Sequence, residues 1–464
     1  MKFKRCKMVG LVLALAISGF SQAGVSAHDI DKLDHSLTPL GAEMKGNGKT
    51  GWEKIPAWTG GLTVADAPRN YRPPAHHPDP FAGEKPLLVI NAENMEKYKE
   101  YLGEGVQAML KEYPQQFYIQ VYPSHRTLAI PARIAENTKR CASTARLNGW
   151  AMDGCVGGTP FPIPYGTNSE QAQEILWNHI TRYRGIYVVR RASEVAVQPN
   201  GSFSLATNDQ EIYFKYYDPK IKSLADLDNK LFYFMSLQLA PARLAGGAVL
   251  VWETLDQCRE PRKAWGYNAG QRRVRQAPNL SYDTPIADAD GLRTADDTDM
   301  FNGAPDRYQW RLIGKKEMVV PYNDYELSSP RVSYKELLQP DVMNPRYMRW
   351  EMHRVWIIEG TLMPGKRHIY SKRRFYVDED SWSILEADQY DMRGALWRVS
   401  LAFPKEFWEV PMMWSTADAY FDLQAHRYHV MGLTNESATD FDATRPPPGD
   451  EYFTPSALRR RGDR

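Results

Sequence analysis

After its first 27 residues, this 464-residue chain has no long apolar run. No later stretch reaches the roughly 18 unbroken apolar residues that a membrane-spanning helix needs. Cysteine is scarce: Cys6, Cys141, Cys155 and Cys258 are the four present. No Cys-x-x-Cys or His-x-x-x-His spacing accompanies them, which argues against a zinc site. The formal net charge is only +2, so no general field draws in nucleic acid or anionic lipid. The Gly-x-Ser-x-Gly elbow and the His-Glu-x-x-His helix are both missing. Gly46-Asn47-Gly48-Lys49-Thr50 imitates the end of a phosphate loop, but Glu43 stands where that motif requires glycine, and no strand precedes it.

What the chain does have begins at its N-terminus. Lys2, Lys4, Arg5 and Lys7 precede the apolar run Val9–Phe20, and Val25-Ser26-Ala27 follows. This order is that of a secretory signal peptide. Cleavage after Ala27 would leave His28 first, with Ala23 as an alternative site. Cys6 lies before the apolar core, so it is not the lipidated cysteine of a lipoprotein. A soluble periplasmic protein is expected. An oxidising compartment favours a Cys141–Cys155 bond, worth roughly 3 kcal/mol by chain-entropy reasoning. Cys258 is then left over, buried and inert or paired with either of the others.

Residues 28–90 are rich in Gly and Pro and read as a loop-rich segment that wraps a larger body. Residues 91–464 read as a single α+β domain. Four helices are expected first. One is capped by Asn91 and carries Met95, Tyr98, Leu102, Val106, Met109 and Leu110. The others span 131–147, start near Ser169, and span 223–239 with Leu224, Leu227, Leu231, Phe232, Met235 and Leu239. From about residue 245 the period becomes alternating: strands at 247–253, 262–267 and 271–276, then a meander of Tyr347–Leu362, Arg367–Val377, Trp382–Tyr390 and Ala395–Phe403. Pro364-Gly365 fits the centre of a type II turn. Helices followed by a meander predict a curved antiparallel sheet with helices on one face. The basic tail Arg459-Arg460-Arg461 is expected to be frayed.

Two stretches invite a functional reading. In the Tyr347–Leu362 strand, Trp350, Met352, Trp356 and Ile358 share one face. They form either core or the lining of a cavity for an apolar ligand. Aromatic residues are 12% of the chain and Met numbers 17, which permits such a lining. Trp252 and Trp265 are added to it as hydrophobic lining. On the opposite face stand Arg349, Glu351, His353 and Glu359, with Arg367, His368, Arg373, Arg374, Asp378, Glu386 and Asp388 on neighbouring strands. Glu351 and His353 could do acid/base or metal chemistry, but cross-strand ion pairing on a wetted sheet face is the favoured reading. His76-His77 with Asp79 reads in the same way, as a metal clip or a polar loop.

Longer motifs resemble a proteobacterial family of unknown function. They are Gly314-Lys315-Lys316-Glu317-Met318-Val319-Val320-Pro321-Tyr322-Asn323, Arg349-Trp350-Glu351-Met352-His353-Arg354-Val355-Trp356, and Asp378-Glu379-Asp380-Ser381-Trp382. Upstream, Ile55-Pro56-Ala57-Trp58-Thr59-Gly60-Gly61 and Tyr122-Pro123-Ser124-His125-Arg126-Thr127 agree as well. The family is labelled outer-membrane lipoprotein-sorting-protein-like. The resemblance implies a LolA/LolB-like fold, an incomplete and strongly curved antiparallel β-barrel with helices packed on or plugging one face. It further implies a periplasmic carrier or adaptor for a lipid or other hydrophobic compound. A resistance-nodulation-division type permease and an outer-membrane protein are its implied partners. No catalytic residue, cofactor or metal is implied. The alternatives are a non-carrier structural adaptor of an export complex, and a hydrolase of envelope lipid or glycan using Glu351 and His353.

Overall fold

The computed structural model describes residues 24–277 and 282–462. Most of the expected signal peptide, residues 1–23 with Cys6, lies outside the described residues. Ser26 caps a one-turn helix, α1 (Ala27–Ile30). From there to residue 87 the chain carries only short 3-10 turns. Large side chains tie this segment to the body: the Trp58 indole donates to the Leu128 carbonyl at 2.8 Å, and Trp52 meets Tyr98 and Tyr101 edge-on.

Next come β1 (Leu88–Ile90), α2 (Glu104–Glu112) and β2 (Ile119–Val121). The helix expected from Asn91 is broken into 3-10 turns before α2. Its start is set by the sheet beneath it. A Cβ on Gly103 would lie 2.3 Å from Glu386 Oε2, and one on Gly105 2.1 Å from Asp388 Oδ1. The Gly105 N–H donates to Asp388 at 3.0 Å, so close approach fixes where the helix begins. α3 (Ala132–Thr144) follows, with Pro131 at its N-cap. A small hairpin, β3 (Arg146–Asn148) and β4 (Ala151–Asp153), leads to α4 (Asn168–Thr181). Thr167 and Glu170 satisfy each other's backbone donors at the start of α4 in a capping box. The Cys141–Cys155 disulfide is present, and Cys258 is a free, exposed thiol.

Two antiparallel meanders make the sheet. The first holds β5 (Tyr187–Val197), β6 (Phe203–Tyr213), the one-turn α5 (Leu224–Leu227), β7 (Lys230–Ala240), β8 (Ala248–Thr254), β9 (Lys263–Asn268) and β10 (Arg273–Gln276). The second holds β11 (Tyr308–Pro321), the one-turn α6 (Tyr334–Leu337), β12 (Trp350–Leu362), β13 (Lys372–Asp378), β14 (Ile384–Tyr390), β15 (Leu396–Phe407), β16 (Met412–Asp422) and β17 (Arg427–Leu433). β17 pairs with β5, which joins the meanders into a sheet of 15 strands that includes β1 and β2. Twist accumulating over so many strands curves the sheet. Among the described residues β10 and β11 do not pair, so the barrel stays open. The fold class is the expected one, a curved antiparallel α+β half-barrel. α7 (Pro455–Gly462) ends the described chain.

Three further expectations need correction. The fourth helix is one turn only; Asp228 and Asn229 then take left-handed φ values of 51° and 56°, and the chain turns into strand β7. The segment Arg367–Ser371 is loop, and β13 starts at Lys372. The basic tail is not frayed: α7 buries Ala457 and Leu458, and Arg461 pairs with Glu211 at 2.5 Å.

Candidate functional site

The first meander has two unlike faces. Tyr213, Tyr233, Met235, Leu250, Trp252 and Trp265 point to the back, where Phe453 and Leu458 close over them. Phe453 stacks on Tyr233 at 5.3 Å, and the Trp252 indole donates to the Phe453 carbonyl at 2.8 Å. The opposite face lines a cavity of about 770 Å³, within the range of small-molecule sites.

Ladder register orders its wall. One row runs Arg190, Gln210, Ser236, Val249, Gly266; the next runs Ile212, Phe234, Val251, Ala264. A polar row therefore lies beside an apolar one. Phe214 and Phe232 extend the apolar side, and Trp414 and Asp418 enter from β16. Segment 286–302 forms part of the wall. At the mouth, Leu244 is 37% and Val249 42% exposed.

Most charges facing the cavity are matched. Arg182 and Arg184 both clamp Asp299. Arg262 pairs with Glu253 at 2.7 Å, and Arg293 with Glu194 at 3.6 Å. Arg190 differs. Its Nε donates to Gln210 at 2.7 Å, and its guanidinium lies 5.3 Å from the Trp414 ring and 4.6 Å from Phe441. Among the described residues no carboxylate lies within 4.0 Å of it. Burial draws its pKa down to about 10, which leaves it charged. Asp418 is buried with Oδ1 lacking a hydrogen-bond partner, and burial pushes its pKa up to about 6.

The six residues expected to line a cavity lie elsewhere. Trp350 and Met352 are wholly buried in the core beneath α2, among Val106, Leu110 and Val121. Ile358 is sealed in a second core, with Trp356 packed against it. Trp356 stacks on Trp382 at 6.5 Å. Strand β12 is buried on both faces from Trp350 to Ile358, Trp356 alone being partly exposed, and its side chains pack into closed cores. Trp252 and Trp265 sit on the back of the first meander, their rings 4.7 Å apart. The side-chain alternation in β8 puts Val249, Val251 and Glu253 on the cavity side instead. The cavity walls lie on β5 and β6, outside the strands expected from the sequence, and on β7, whose apolar spacing fits a helix. The recoverable signal was the paired alternation Asn208, Gln210, Ile212 against Asp209, Glu211, Tyr213.

The expected wetted face is largely sealed. Arg373 is fully buried, bonding Asp296 at 2.7 Å and Asp297 at 2.6 Å. Arg374 does pair across strands with Glu359, at 2.8 Å. Glu351 is buried and saturated: Arg349 donates at 2.5 Å, the His125 N–H at 2.8 Å, Asn323 at 3.0 Å, and His353 Nε2 lies at 3.0 Å. His353 also stacks on Tyr322 at 3.7 Å. Its ligand atom lies within 4.8 Å of one each from Asp378 and Asp380, but Asp380 is held by Arg126 at 2.6 Å. These groups form a closed knot rather than a cleft. His76, His77 and Asp79 do not converge. His77 is buried between Glu409 at 2.8 Å and Asp440 at 3.1 Å, while His76 contacts the Ser437 carbonyl and Asp79 accepts from the Phe81 N–H.

The family described as "Protein of unknown function (DUF1329)" matches residues 89–459. The chain belongs to that family. It is also 44% identical to an uncharacterized protein of Pseudomonas aeruginosa, over 98% of each chain. Among solved structures, it is similar to a putative outer membrane lipoprotein-sorting protein domain from Vibrio parahaemolyticus, at 13% identity and TM-score 0.43. That match covers 63% of this chain and all of the other. A DUF1329 family protein from Desulfovibrio piger is 15% identical with TM-score 0.41, again over 63% of this chain and 100% of that one. A LolA superfamily protein from Nitrosomonas europaea is 15% identical with TM-score 0.36, over 61% and 97%.

Proposed function

We propose that this protein is a periplasmic carrier that holds a lipid or other hydrophobic molecule inside the first meander. The observation that carries this reading is the open cavity of about 770 Å³ walled by Ile212, Phe214, Phe232, Phe234 and Val251. Burying an apolar chain there gains about 25 cal/mol per Å² removed from water. The walls are paired strands, so little of that gain is lost to ordering on binding. The disulfide between Cys141 and Cys155 supports an oxidising compartment. The closed packing of Glu351 and His353 supports a binding role over an envelope hydrolase. A permease of the resistance-nodulation-division type and an outer-membrane protein are the partners that would load and unload such a carrier. Native mass spectrometry of protein purified from periplasm without detergent, followed by organic extraction, tests this. A discrete adduct that extracts as a lipid-like molecule is expected. A bare mass that persists after incubation with envelope lipids would overturn the carrier reading in favour of a structural adaptor.

A further inference from the structure

The cavity is amphipathic in an ordered way. Arg190, Gln210 and Ser236 of the polar row are buried, at 8%, 8% and 9% exposure, while Val249 of the same row opens at the mouth. Each of the three buried members neighbours an apolar residue of the next row across the same strands. The other arginines that line the buried part of the cavity already have carboxylates. Arg190 has a neutral amide and two aromatic rings. Such a stacked guanidinium keeps its fork of donors and is held in place by its packing rather than by a counter-ion. A buried charge without a direct partner is costly, and an anionic ligand group would remove that cost through charge-assisted hydrogen bonds.

We infer that the cargo is an anionic amphiphile, bound with its acidic head on Arg190 and its chain along Ile212, Phe234 and Val251. This rests on the carrier reading and narrows it to one chemical class. Asp418 also faces this space, with an unpartnered oxygen. It opposes an anion and would favour a cation, so it reports the sign of the ligand's charge. Asp288 lines the cavity too, but it is exposed, where water screens it.

The test uses the mature protein, a dansyl-labelled undecanoic acid and the methyl ester of the same probe, titrated by fluorescence at neutral pH. The acid should bind at least about tenfold more tightly than the ester, as charge-assisted hydrogen bonds predict. Arg190→Gln should erase that preference, bringing the acid to the same affinity as the ester in that variant, and Asp418→Asn should widen it. Should Arg190→Gln fail to fold, the acid–ester comparison in wild-type protein and in Asp418→Asn decides the matter. Equal binding of acid and ester by wild-type protein, or tighter acid binding that survives Arg190→Gln, would overturn the anionic assignment while the carrier reading stands. Weaker acid binding in Asp418→Asn would overturn it too. Binding of neither probe would overturn both.

Discussion

Phe234→Asp separates the cavity from the rest of the apolar interior. Phe234 lies in the middle of the apolar row, between Ile212 and Val251. It is only partly buried because one side of the ring faces the cavity. An aspartate there can be hydrated by water in the empty cavity, so the fold should survive with a loss of about 1–2 kcal/mol from packing against Phe232 and Phe214. Cargo suffers more. Losing contact with a phenyl ring removes about 1.5–3 kcal/mol. Laying an apolar chain over a carboxylate adds roughly 2 kcal/mol of unreturned hydration. The sum, about 4 kcal/mol, is close to a thousandfold in Kd. The assay is lipid recovered per mole of purified protein, with circular dichroism as the check on folding. Ile358→Asp is the contrast: that side chain is wholly buried in a packed core, so a charge there should prevent folding. A folded Phe234→Asp protein that keeps wild-type cargo would refute the placement of the site in the first meander.

Three further outcomes concern the scaffold. Arg373→Gln leaves Asp296 and Asp297 buried without their main partner and should cost about 3–5 kcal/mol in urea unfolding; a loss under 1 kcal/mol would contradict the packing described. Cys141→Ser with Cys155→Ser should lower stability by roughly 3 kcal/mol, and a reductant should then shift the midpoint of wild-type protein but not of the variant. Asp388 is pushed up to about 7, chiefly by burial. Its folded-state pKa is raised, so its contribution to stability is full below about pH 4 and is lost as pH rises toward 7, at about 1.4 kcal/mol per pH unit. Asp388→Asn should remove that slope relative to wild-type protein between pH 4 and 7, and parallel profiles for the two would show that Asp388 titrates normally.

Where local chemistry was strong, the chain announced its own structure. The helix expected to start near Ser169 is α4. Pro364-Gly365 and Asp391-Met392-Arg393-Gly394 marked the turns around β13, β14 and β15. The cysteine pair is bonded as the oxidising compartment suggested. The candidate site was not legible in this way. β7 carries apolar residues on both faces, Tyr233 and Met235 against the α7 side and Phe232 and Phe234 against the cavity. A strand apolar on both faces loses the period of two, and its spacing then fits a helix equally well. Size also misled: Trp350 fills a closed core, and Trp252 and Trp265 pack, partly buried, on the back of the first meander, because a bulky ring gains most where neighbours cover it. By itself the sequence determined the fold class, the four central strands β12 to β15 of the second meander and the disulfide, because turns and cysteine pairs are set by neighbours along the chain. Tertiary structure alone decided which face of the first meander stays uncovered, and that Arg190, Trp414 and Asp418, from two strands far apart in sequence, meet there. Those outcomes depend on how β17 pairs with β5 and where α7 docks, and no local pattern encodes either.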